Sequence, residues 1–119
     1  DIIAFCNEIT KVIYRHKETM KFIYMNSVTS NWSLDKTKKI WYAIGKCTKL
    51  EHLELEMCYL DDEATKNFQS LTELNHVDLT RNHIVENPVL SHVSNRISYA
   101  GNRLSDNGVK ILIEKTFSV

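Results

Sequence analysis

The stretch LEHLELEMCYL, residues 50–60, decides the fold because its apolar residues follow a fixed spacing. Leu53 and Leu55 alternate with charged neighbours, as expected for a β-strand that buries one face. Cys58 follows two residues after the alternation ends, where the chain must turn away from the strand. The sequence predicts a short strand and a tight turn, with five residues directed inward: Leu50, Leu53, Leu55, Cys58 and Leu60.

The same spacing occurs twice more downstream. LNHVDLTRNHI begins 24 residues later at Leu74, and SNRISYAGNRL begins 20 residues after that at Ser94. Asn82 and Asn102 take the place of Cys58. A pattern that recurs at intervals of this length indicates stacked units, each a strand with its return segment, because one unit cannot bury its apolar face alone.

A weaker copy precedes these three, in the aromatic and branched segment MKFIYM, residues 20–25. We favour the register in which Ile23 points inward with Met20 and Met25, and Val28 takes the turn position. The other register places Phe22 and Tyr24 inward. A slip of one residue exchanges the two faces of a strand, so the two registers predict opposite surfaces.

Apolar residues at three- and four-residue spacing predict helices between the strands. Residues 1–16 form one such segment, and residues 34–46 form another with Ile40, Trp41, Ile44 and Cys47 on its buried side. A helix beginning at the acids 61–63 is expected to bury Ala64, Phe68 and Leu71. Asn87 and Pro88 indicate a short helical turn. A last helix, 106–117, is expected to bury Val109, Leu112, Ile113 and Phe117.

Repeats with a strand, a Cys or Asn at the turn and a following helix resemble the ribonuclease-inhibitor-like class of leucine-rich repeats. LEHLEL at 50–55 and AGNRLSDNGV at 100–109 look like the repeats of nucleotide-binding leucine-rich-repeat receptors. The resemblance implies a short right-handed α/β solenoid, with parallel strands on the concave face and helices on the convex face. It implies one domain: a helical cap at 1–19, about four repeats at 20–105 and a C-terminal helix at 106–119.

The strand period also identifies the outward residues, which lie between the inward ones. Aligned strands place them in rows across the sheet, and aromatic residues beside charges are typical of protein-binding surfaces. Six acids and no base lie between 51 and 63, which favours a partner with a basic surface. The alternative is that these charges only keep the solenoid soluble. The predicted partner-binding residues are Phe22, Tyr24, His52, Glu54, Glu56, His76, Asp78 and Arg96.

His52 and His76 are neighbours in one row, with Glu54 and Asp78 one pleat along. Two imidazoles and two carboxylates are a ligand set for zinc, and they are also the components of a pH switch. Exposed histidines on parallel strands need no metal, so we assign none and keep His52 and His76 as the candidates. The sequence has no P-loop, no dinucleotide-binding glycine motif and no nucleophile elbow. We therefore predict a non-enzymatic chain without a cofactor.

The remaining features of the composition bear on the classes of partner and on the cellular compartment. No apolar run approaches the roughly 18 residues of a membrane span, and we interpret the lysines at 36–39 as a solvated helix face. We therefore predict neither a membrane nor a nucleic-acid partner. Three cysteines, none in a zinc or redox spacing, favour the cytoplasm or another reducing compartment. A start at Asp1 favours an excised piece of a longer chain. A second interpretation is therefore a structural segment of a larger repeat-containing receptor or regulator, packed against its own neighbouring domains.

Overall fold

A computed structural model describes residues 2–27, 34–86 and 96–110. The predictions for Val28, for Asn87 and Pro88, and for the helix beyond residue 110 lie outside these ranges. In chain order the elements are α1 (Ile2–Arg15), β1 (Phe22–Tyr24), α2 (Leu34–Ile44), β2 (His52–Glu54), α3 (Asp62–Thr65), a 3-10 helix (Lys66–Ser70), β3 (His76–Asp78) and β4 (Arg96–Ser98). Residues 106–110 are also helical.

The four strands form one parallel sheet in chain order. Ile23 pairs with Leu53, Leu53 with Val77, and Val77 with Ile97, so the inward positions of the four copies form one row. Ile23 is buried, which confirms the favoured register of the first strand. The chain therefore has a mixed α/β architecture in which equivalent residues of successive copies are direct neighbours.

The hydrophobic core lies on the side of the sheet that carries this row. Helix α2 contributes its predicted buried residues, and Trp41 Nε1 donates a hydrogen bond to Thr37 Oγ1 at 3.2 Å, which satisfies the buried indole. The return segment after β2 buries Ala64, Phe68 and Leu71, as predicted. Helix α1 adds Cys6 and Ile13. In the described part of the chain, these contacts bury one side of the sheet against the helices, whereas Phe22 and Tyr24 on its other side are exposed.

The turn residue of each copy bonds to the backbone of the copy before it. Asn82 Oδ1 accepts hydrogen bonds from the backbone N–H groups of Cys58 and Leu60 at 2.9 and 3.0 Å. Its Nδ2 donates to the carbonyl oxygens of Leu55 and Leu79 at 2.8 and 2.9 Å. The amide thus satisfies buried backbone groups that the short strands leave without a ladder partner.

Asn102 and Cys58 occupy the equivalent positions. Asn102 Nδ2 donates to the Leu79 carbonyl at 2.8 Å, and its Oδ1 accepts from the Ile84 N–H at 3.0 Å. The Cys58 thiol donates to the Met25 carbonyl at 2.8 Å. A ladder of turn side chains therefore joins the successive copies, at the positions where the sequence repeats Cys or Asn.

The backbone itself repeats one turn residue before this ladder. Each of the four copies has a residue in the left-handed region at the same position, and only the last is glycine, the residue type that adopts this region without strain. These residues are Ser27 (φ 61°), Met57 (55°), Arg81 (58°) and Gly101 (73°). Four equivalent turns indicate one repeated backbone geometry despite the unequal spacing of the copies.

Two sequence predictions differ from the structure. The helix predicted after β2 is only four residues long and continues as a 3-10 helix; Asp61 caps its start by accepting the Ala64 N–H at 2.8 Å. Val109 was expected to be buried but is 41% exposed. Gly108 is buried in its place, because the absence of a side chain lets its backbone approach the Val85 carbonyl, where a Cβ atom would lie at 2.5 Å.

Within the described ranges, none of the helices combines the length and apolar character needed to cross a membrane.

Candidate functional site

The side of the sheet opposite the core carries most of the residues that the sequence predicts to bind a partner. We call it the open face and define it by Phe22, Tyr24, His52, Glu54, His76, Asp78, Arg96 and Ser98. Phe22, His52, His76 and Arg96 form one row of paired positions, and Tyr24, Glu54, Asp78 and Ser98 form the next. Glu56 lies just beyond the end of β2. The structure thus brings all eight predicted residues onto one connected surface, while their role in binding stays a prediction.

One end of the open face is aromatic. Phe22 and Tyr24 lie on β1, the edge strand, and are 56% and 54% exposed. The Tyr24 ring centre is 4.8 Å from that of His52, and the Phe22 ring centre is 6.2 Å from it. The two exposed rings therefore lie directly beside the imidazole ring of His52.

Behind these rings, β1 and α1 enclose an apolar groove. Its volume is about 450 Å³, and its walls include Phe5, Ile9 and Val12 of α1 together with Phe22 and Tyr24. Phe5 and Val12 are themselves exposed. The aromatic end of the open face is thus contiguous with a further apolar surface on α1, and sequence reasoning missed this groove because it depends on how α1 packs beside the edge strand.

The centre of the open face holds two stacked imidazoles. The ring centres of His52 and His76 are 3.8 Å apart, and their planes differ by 16°. Glu54 Oε1 lies 3.2 Å from His52 Nε2 and 3.7 Å from His76 Nε2. Partial burial lowers the pKa of His76, with smaller contributions in the same direction from His52 and Arg96, while Glu54 and Asp78 oppose them.

The carboxylates of this surface already have partners within the chain. Arg81 Nη1 donates to Glu56 Oε1 at 3.0 Å, and Asn26 Nδ2 donates to the second oxygen of Glu54 at 3.4 Å. Asp78 Oδ1 accepts from the backbone N–H of Thr80 at 3.0 Å and from its hydroxyl. These carboxylates therefore accept hydrogen bonds from the chain itself, and Glu56 is also paired with a positive charge.

The far end of the open face carries an exposed Arg96 and a half-buried Ser98. Thr80 Oγ1 lies 3.0 Å from Ser98 Oγ, which joins β4 to the polar network of Asp78. Arg81 lies nearby but pairs with Glu56 of the preceding copy. The surface therefore runs from an apolar end, through imidazoles and paired acids, to a single basic side chain.

One group of side chains has the composition of a metal site. In the part of the chain that the structure describes, His52, Glu54 and His76 offer three ligand atoms that all lie within 4.8 Å of one another. Asp78, which the sequence also suggested as a ligand, is not part of this group. Two imidazoles and one carboxylate are nitrogen and oxygen ligands of the kind that zinc binds.

Comparisons with known proteins inform the fold alone. No protein-family model and no curated protein matches the chain. Among solved structures, the chain is similar to the tropomodulin C-terminal domain from Caenorhabditis elegans, with a TM-score of 0.67 and 11% sequence identity. The similarity covers 92% of this chain and 72% of that one. At this identity the likeness supports a shared fold and no shared function.

Proposed function

We propose that this chain is a non-catalytic protein-interaction module, and that it binds its partner on the open face. In this proposal the chain is a short right-handed leucine-rich-repeat solenoid of the ribonuclease-inhibitor-like class, and the open face is its concave side. The four equivalent turns, the ladder of turn side chains and the similarity to the tropomodulin C-terminal domain support the solenoid. The observation that carries the function is the pair of exposed aromatic rings on β1.

Phe22 and Tyr24 are the strongest anchors on this surface. An aromatic side chain buries 150–250 Å² when it is fully covered. Since each ring is about half exposed, a partner that covers it removes on the order of 100 Å² from water, equivalent to about 2 kcal/mol. The two rings therefore offer more binding free energy than the neighbouring carboxylates. A ligand that engages a carboxylate must replace the hydrogen bond that the carboxylate already accepts within the chain.

The polar centre defines the expected chemistry of the partner. We expect an apolar side chain against Phe22 and Tyr24, and a basic side chain within reach of Glu54 and Asp78. Charge across such an interface contributes more to orientation and association rate than to affinity. The three cysteines are buried and form no disulfide with one another, which supports the cytoplasm or another reducing compartment as the setting of this role.

A capture experiment with matched variants tests this proposal. The tagged chain, a Phe22→Ser/Tyr24→Ser variant and a Tyr42→Ser variant are used to retain proteins from lysate, with quantification by mass spectrometry. Tyr42 lies on α2, away from the open face, and is 55% exposed, so it removes an aromatic ring of equal exposure. We expect the double variant to lose at least about 90% of a specific partner, equivalent to the roughly 1.4 kcal/mol of a tenfold change. Equal retention by all three chains contradicts the proposal.

The alternative of a structural segment rests on the exposed apolar side of α1, where Ile3, Phe5 and Val12 are accessible. A face of this kind is typical of a surface covered by a neighbouring domain. The two functions differ in which surface matters. If the segment role holds, Phe5→Ser/Val12→Ser abolishes self-association in sedimentation measurements, and changes at Phe22 and Tyr24 leave capture unaltered.

A further inference from the structure

We propose that His52, Glu54 and His76 form a zinc site on the open face, with three protein ligands and one position open to solvent. The ligand atoms are His52 Nε2, His76 Nε2 and Glu54 Oε1. This inference goes beyond partner binding and does not depend on it.

Two of the three separations between these atoms are close to those of a zinc coordination shell, and the three side chains offer ligand atoms within 4.8 Å of one another. Tetrahedral zinc holds nitrogen and oxygen ligands at about 2.0–2.1 Å, which places neighbouring ligand atoms about 3.3 Å apart. Glu54 Oε1 lies 3.2 Å from His52 Nε2 and 3.7 Å from His76 Nε2. The carboxylate oxygen already stands near both nitrogens at close to the required distance.

Regular elements hold the three side chains in position. His52 and Glu54 lie on β2, two residues apart on the same face, and His76 pairs directly with His52 in β3. Their side chains are only 20–25% exposed, so neighbours restrict their rotamers. Asn26 Nδ2 donates to the other oxygen of Glu54 at 3.4 Å, which is the kind of supporting contact that orients a ligating carboxylate.

Zinc binding requires one local rearrangement. The lone pair of a ring nitrogen lies in the plane of the ring, and the rings of His52 and His76 are nearly parallel at 3.8 Å. They must therefore open away from each other so that both lone pairs converge on the metal. Both nitrogens already lie near the same carboxylate oxygen, so binding needs rotation about the side-chain bonds together with the imidazole tautomer that carries its proton on Nδ1.

The ligand types select zinc over the common hard cations. Calcium and magnesium prefer shells made entirely of oxygen, whereas two imidazoles and a carboxylate suit a borderline metal. Structural zinc sites have four protein ligands. The group described here supplies three, so water or a ligand atom of a bound molecule completes the shell at the fourth position.

Calorimetric titration of zinc into the whole chain, in buffer free of chelators, tests the site. We expect one zinc ion per chain, and at least a tenfold loss of affinity in each of His52→Gln, Glu54→Gln and His76→Gln, about the effect that even a supporting residue of a metal site has. His16→Gln is the matched control, because His16 is an exposed histidine outside the group, and it should leave the affinity unchanged.

Ring ¹⁵N chemical shifts of the wild-type chain give a second readout that needs no variant. Zinc should move the Nε2 resonances of His52 and His76 and leave those of His16 in place. Three results overturn the proposal: no heat and no shift at saturating zinc, equal loss of affinity in His16→Gln, or shifts confined to other histidines.

Discussion

At the scale of single residues, the amide of Asn82 holds two copies of the repeat together. It accepts hydrogen bonds from two backbone N–H groups of the turn after β2. It also donates hydrogen bonds to one carbonyl oxygen of that copy and to one of its own. The side chain is 5% exposed, so water cannot replace these bonds. The recurrence of Cys or Asn at this position could be predicted from the sequence, whereas the bonds of the side chain to the preceding copy could not.

Replacing Asn82 by alanine should destabilise the chain strongly. The substitution removes one hydrogen bond from each of four backbone groups, of which the Leu79 carbonyl keeps a second bond from Asn102. An unsatisfied buried group costs about 1–3 kcal/mol. We expect a loss of about 3 kcal/mol or more in the free energy of unfolding, measured by urea denaturation. Asn107→Ala is the control, since Asn107 makes an exposed hydrogen bond to Glu86, and it should change little. A loss below 1 kcal/mol for Asn82→Ala, by the same principle, is incompatible with the ladder described above.

At the scale of elements, the turn after each strand is the unit that repeats most faithfully. The strands are three residues long, and the segments between them differ in length and helical type. The left-handed residue nevertheless recurs in all four copies. The sequence could predict the strands, because a period of two is visible in it. It could not predict that the helix after β2 would tighten into a 3-10 helix, because that choice depends on packing beneath α2.

Gly101→Ala tests the strict geometry of this turn. Gly101 has φ +73°, and an added Cβ atom would lie 2.8 Å from Arg81 Cγ and 3.3 Å from Arg81 Cα. A non-glycine residue in the left-handed region costs about 1–2 kcal/mol, and we expect at least that loss in denaturant unfolding.

Met57→Gly is the matched change in the opposite direction. It relieves the left-handed strain at the equivalent turn but increases the conformational entropy of the unfolded chain. The two effects on the free energy of unfolding should cancel to within about 1 kcal/mol. If Gly101→Ala instead leaves the stability unchanged, the prediction of a strict turn geometry is wrong, because the turn then relaxes to accept a Cβ atom.

At the scale of the whole molecule, the rows of the open face could be predicted from sequence, whereas their contacts could not. Spacing alone places His52 and His76 side by side, because parallel strands in register align equivalent positions. Phe22 joins them only in the favoured one of the two registers of the first strand. The pairing of Arg81 with Glu56 depends on where two long side chains reach, and repeat spacing says nothing of that. The exposure of Val109 depends in the same way on how closely Gly108 approaches the preceding turn.

The central claim is that a partner contacts the aromatic end of the open face, and site-specific photo-crosslinking measures this contact directly. A photoreactive phenylalanine analogue is placed at Tyr24 in one chain and at Tyr42 in another, since both positions are about equally exposed. We predict a covalent adduct with one specific protein from position 24 and none from position 42. An adduct that forms from position 42 and not from position 24 contradicts the account.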